Sequence, residues 1–187
     1  MIVPGPATRP PIDLPKPQPS VTAPVKPSPT LPPENDTAAK LASGLAELPA
    51  ADWPKSLARA RDAKGGEFTR ALVLLVHKVD GARKTDARTA LAERLTRMTA
   101  ETRRGMMTGD DAELRRAAVL AAAMKDDKAH VPDLIGRLID DEDIVSRAAS
   151  AGLKSLTGQD FGPPPGATRD DRKMAAEAWR QWWAKQK

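Results

Sequence analysis

A phrase that nearly repeats itself constrains this chain more than any other feature. Leu114-Arg115-Arg116-Ala117-Ala118 returns as Val145-Ser146-Arg147-Ala148-Ala149, 31 residues later. Acids accompany both copies: Asp110, Asp111 and Glu113, then Asp141, Glu142 and Asp143. A repeat of this length is the size of one helix-turn-helix unit, which cannot bury its apolar face alone and must stack on neighbours. The expectation is an all-α fold: a right-handed α-α superhelix, or solenoid, of about eight or nine helices. No strand-like alternation of apolar and polar residues interrupts this reading.

Composition divides the chain in two. Twelve of the 18 prolines lie in the first 33 positions. Pro15-Lys16-Pro17-Gln18-Pro19 and Pro27-Ser28-Pro29 lock φ and remove backbone donors. Residues 1–35 are therefore expected to be a disordered proline-rich arm. Fully extended, it would reach roughly 100 Å. Pro24-Val25-Lys26-Pro27 and Pro29-Thr30-Leu31-Pro32 match P-x-x-P docking motifs, but that pattern arises cheaply in such a segment, and a spacer is the expected role. Residues 36–187 form one domain of ordinary size.

Helical signals then follow one another. Asn35-Asp36-Thr37 caps a first helix, which Pro49 stops. Asp52-Trp53-Pro54 starts a second, closed by Gly65-Gly66. The spacing predicts a third helix over 67–79, ended by Gly81, and a fourth over 86–98. Residues 101–107 fit one short helix. The echoed helices come next, over 111–125 and 142–156, with a short helix led by Pro132 between them. A loop over 157–168 precedes a final helix carrying Trp179, Trp182 and Trp183. The echoed helices offer Ala118, Ala121, Ala122, Ala149 and Gly152 for close approach, while Leu134, Ile135, Leu138 and Ile139 supply bulk.

The segment from His130 to Thr157 resembles a single HEAT unit: an apolar first helix with an early proline, an acidic turn, then Arg147-Ala148-Ala149. The stretch from Asp86 to Lys125 resembles the preceding unit, with an inserted segment at 99–109. Leu-Thr-Gly-Gln-Asp-Phe-Gly at 156–162, followed by Trp179-x-x-Trp182-Trp183, resembles the closing segment of many bacterial HEAT-repeat proteins. The resemblance covers roughly residues 67–187 and implies a helical-repeat scaffold. The closing segment reads as a structural cap formed by Phe161, Trp179, Trp182 and Trp183, since a solenoid's last repeat exposes an apolar side that must be covered.

Chemistry is sparse. Cysteine is absent, which excludes disulfides and thiolate nucleophiles. His77 and His130 are the only imidazoles and read as helix-boundary residues, so neither a metal nor another cofactor is expected. No Gly-x-Ser-x-Gly elbow and no phosphate-binding loop occurs. Carboxylates sit at helix starts, where capping explains them. No apolar run is long enough to span a bilayer, so no membrane insertion is expected. A proline-rich stretch at the start is of the kind that follows a leader or an anchor. The expectation therefore leans towards an exported or tethered protein whose leader is missing from this chain, with a cytoplasmic one as the alternative.

The formal charge of +5 belongs to the folded part, because Arg9, Lys16 and Lys26 balance Asp13, Glu34 and Asp36. Arg94, Arg97, Arg103, Arg104, Arg115 and Arg116 form a basic stretch. The first expectation is a non-enzymatic, monomeric scaffold presenting a groove to a protein or peptide, with Arg104, Arg115, Arg116 and Arg147 as contact residues. The alternatives are a nucleic-acid or phosphate-binding module using the Arg94–Arg116 stretch, and a HEAT-like DNA-repair or lyase-type enzyme. Against nucleic acid, Glu93, Glu101, Asp110, Asp111 and Glu113 are interspersed, and no aromatics are interleaved for base stacking.

Overall fold

The computed structural model describes residues 36–186. The arm and its P-x-x-P matches lie outside these residues. Among the described residues the chain forms nine α-helices and no strand. They are α1 Asp36–Ala46, α2 Trp53–Asp62, α3 Gly66–Lys78, α4 Gly81–Thr96 and α5 Ala100–Met106, then α6 Ala112–Met124, α7 Val131–Arg137, α8 Asp143–Thr157 and α9 Arg169–Ala184. A 3-10 turn, Lys128–His130, leads into α7.

Local chemistry sets most of the boundaries. Pro54 and Pro132 occupy first turns, where a backbone N–H would be unsatisfied anyway. The Thr99 side chain accepts from the Thr102 N–H at the start of α5, and Asp111 accepts from the Leu114 N–H at 2.9 Å at the start of α6. Thr168 and Asp171 cap α9 reciprocally. Gly158 ends α8 at φ +70°, a conformation that favours glycine.

One expectation differs from what is found. Gly81 does not end the third helix; it is the first residue of α4, which begins five positions before the predicted 86. That first turn is polar (Arg83, Lys84, Thr85) and carries no apolar period to read. Its use is structural: Arg83 donates to the carbonyls of Ala46 (2.9 Å) and Leu48 (2.7 Å), closing the end of α1. The short helix expected over 101–107, within the inserted segment at 99–109, is found as α5 and packs directly on α6.

The helices pack in a simple order. α3 packs on α4, α5 on α6 and α7 on α8, so each pair is a hairpin. The second helices, α2, α4, α6 and α8, pack on one another in succession, with α1 against α3 and α7 against α9. The echoed helices, α6 and α8, pack on each other through small residues. Ala118, Ala121, Ala122 and Ala149 are buried there. A Cβ added at Gly152 would lie 2.9 Å from Leu134 Cδ2 and 3.5 Å from Ala123 Cβ. Val131, Leu134, Ile135 and Leu138 fill the space behind them.

At the C-terminal end, Trp179 is fully buried. Its ring meets Phe161 edge-on at 4.9 Å and Trp182 at 5.8 Å. Its indole N–H donates to the Gly162 carbonyl at 3.1 Å. Trp182 and Trp183 pack partly buried against the same core.

Candidate partner-binding groove

The expected contact arginines separate into two groups. Arg104 and Arg115 belong to a set of clasps between neighbouring hairpins. Arg104 pairs with Asp133 at 2.9 Å. Arg115 forks onto Asp140 with bonds of 3.0 and 2.8 Å, and also donates to the Gly109 and Asp110 carbonyls. Arg103, itself buried, reaches Asp127 at 2.9 Å. Arg94 is buried as well, and spends its guanidinium on Thr69 and on carbonyls at the end of α2. His130 is 0 % exposed, with Nδ1 2.8 Å from Asp133 Oδ2, so it belongs to the interior. His77 lies at the surface, 3.0 Å from Asp111.

The Arg115–Asp140 clasp gives a pH prediction. Burial raises the Asp140 carboxyl, but the Arg115 fork and the Glu142 backbone N–H outweigh it and hold Asp140 below the usual carboxylate range. A depressed folded pKa contributes stability that is fully present above the unfolded value of about 3.9 and is lost as pH falls through the folded one. The urea midpoint is therefore expected to hold between about pH 7 and about pH 5 and to fall below that. Asp140→Asn should lower the neutral midpoint and flatten the acid slope. Unchanged values for both would show that the clasp contributes nothing.

Arg116 and Arg147 lie elsewhere, on the exposed side of the successive second helices. A run of depressions follows that side. One of about 390 Å³ lies between α2 and α4, lined by Trp53, Leu57, Arg61 and Glu93. It shares Thr89 with one of about 170 Å³ between α4 and α6. Arg88, Arg116 and Leu120 carry the run into one of about 300 Å³ between α6 and α8. Arg147 and Ala151 carry it on into one of about 570 Å³ between α8 and the Pro163–Pro165 loop. Shared lining residues make this one groove crossing four helices.

Arg88 is the residue that sequence reasoning missed. It precedes Arg116 by 28 positions, as Arg116 precedes Arg147 by 31. Ala90 stands two places after it, as Ala118 and Ala149 stand after the others. The signal was a third, fainter echo in α4, outside the stretch that begins at Arg94. The three arginines sit one per helix across the middle of the groove.

No family model, curated protein or solved structure matches this chain.

Charges in the groove are mostly matched. Arg61 pairs with Glu93, Arg88 with Glu113, Arg147 with Asp143 (2.9 Å), Lys154 with Asp160 (2.7 Å) and Arg172 with Asp143 (2.6 Å). Among the described residues lining the groove, Arg116 is the one cation that no hydrogen bond or ion pair reaches. Burial depresses its pKa, and the like charges of Arg88 and Arg147 add to this, with Glu113 opposing. Among the described residues, no group of three or more His, Cys, Asp or Glu is arranged to hold a metal ion, and no helix is long and apolar enough to cross a membrane.

Proposed function

We propose that this chain is a non-enzymatic interaction scaffold, a helical-repeat solenoid of HEAT type whose groove receives a segment of a partner protein. The observation that carries this reading is the continuous groove across α2, α4, α6 and α8, floored by small apolar side chains and rimmed by charges of both signs. Such a surface suits a peptide, whose side chains alternate in character. It suits a nucleic acid poorly, because regularly spaced phosphates would meet Asp86, Glu93, Asp143 and Asp160. The arginines behind the nucleic-acid reading are also spent internally: Arg94, Arg103, Arg104 and Arg115 hold hairpins together.

A photo-crosslinking side chain tests the reading. Placed at exposed Ala151 in the groove, it is expected to capture a discrete protein species in cells that make this chain, and excess unlabelled protein should compete the capture away. The same group at Met174, exposed on α9 and outside the groove, should not capture it. Equal capture from both positions, or capture of nucleic acid from position 151, overturns the proposal.

A further inference from the structure

We infer that Arg116 is the specificity-determining residue of the groove and takes a single side-chain carboxylate from a bound peptide. This rests on the groove reading above and adds to it the chemistry that is recognised. Three observations support it. First, Arg116 lies at the middle of the groove, half-buried, with its guanidinium unengaged. An arginine in that setting can take an anion, since its planar fork fits a carboxylate in two parallel bonds.

Second, both flanking arginines already have a carboxylate partner. Arg88 is forked onto Glu113 through Nε and Nη2, and Arg147, more exposed, pairs through Nε with Asp143. One open fork matches one singly charged carboxylate. A phosphate dianion would call for a second fork, and a polyanion for several. Third, the surroundings of Arg116 are apolar at peptide scale. Leu120 and Ile144 are half-buried beside it, and Met124, 54 % exposed, stands next to it. The occupant is therefore an extended peptide segment with one glutamate or aspartate between apolar residues. With helix axes about 9 Å apart, crossing from α4 to α8 takes about 18 Å, or about six extended residues.

The test uses three hexapeptides identical except at one central position: glutamate, glutamine or phosphoserine, each flanked by leucine. Binding is followed by NMR on the full chain, through the Arg116 Nε–Hε resonance and the methyls of Leu120, Met124 and Ile144. The glutamate peptide is expected to shift all four saturably, and to bind about tenfold or more tightly than the glutamine peptide. Arg116→Gln should abolish that preference and leave the thermal midpoint unchanged, because no internal bond is lost. Equal binding of the glutamate and glutamine peptides overturns the assignment. So does tighter binding of the phosphoserine peptide, or the absence of any Arg116 shift. If the methyls move and Arg116 does not, the groove stands and the carboxylate assignment falls. If Arg116 responds while crosslinking from position 151 is unspecific, the anion site stands and the partner groove falls.

Discussion

Trp179→Ala is expected to destabilise the domain by about 3–5 kcal/mol, among the largest effects of any single substitution here. The indole is fully buried, and it joins three things at once. Its ring packs edge-on against Phe161 and Trp182. Its N–H satisfies the Gly162 carbonyl, fixing the loop that precedes α9. Its bulk fills the space between α9 and the core behind α7. Truncation leaves a cavity, a Gly162 carbonyl held only by the longer bond from the Ser150 hydroxyl (3.4 Å), and a loosened loop. Trp179→Phe should recover most of the packing but not the hydrogen bond, and lose about 1 kcal/mol. Deletion of residues 170–187 goes further, baring Phe161 and the apolar side of α7, and the shortened chain should aggregate. Urea midpoints and size-exclusion profiles read both outcomes. A shortened chain that stays monomeric and equally stable would show that the tryptophans serve some other purpose.

Arg94→Met is expected to cost about 3 kcal/mol, although it replaces a buried charge with an apolar side chain of similar length. Replacing a buried ion pair in this way is often neutral, because both partners are removed together. Arg94 differs because its partners are backbone. It donates to the carbonyls of Arg61 (2.9 Å), Ala63 (2.5 Å) and Gly65 (2.5 Å), and to Thr69 Oγ1 (2.8 Å). These acceptors close the end of α2 and start α3, and they remain when the arginine goes. Arg94→Lys should rescue little, because one ammonium group cannot reach both sides of the turn. Stability by urea denaturation, with hydrogen exchange at residues 61–69, distinguishes this from simple loss of packing. Faster exchange across the whole domain, with no local excess at the turn, would contradict the assignment.

How much of this was legible in the sequence depends on range. Helices with an apolar stripe and a cap could be read directly, as α6 and α8 show. The polar first turn of α4 could not, because the reason for its helicity, Arg83 bonding to the end of α1, lies 35 and 37 positions away. The same range effect divided the arginines. In the sequence, Arg115 and Arg116 are equivalent neighbours. In the fold, their adjacency on a helix sends them about 100° apart, one to Asp140 in the next hairpin and the other into the groove. Arg88–Glu113 and Arg115–Asp140 are both separated by 25 positions. That spacing recurs because a side chain on one hairpin meets the next one along, but the partner is chosen by helix rotation, which composition does not reveal.

The successive packing of α2, α4, α6 and α8 has a mechanical consequence. The main contacts of each hairpin are with its neighbours, so opening is expected to spread inward from the ends. The outermost links, α1 with α2 on one side and α9 on the other, each have a neighbour on one flank alone. Arg116 sits on a helix with neighbours on both. The site proposed to read the partner is therefore on the link that frays last, and it keeps its shape while the ends of the chain breathe around whatever lies in the groove.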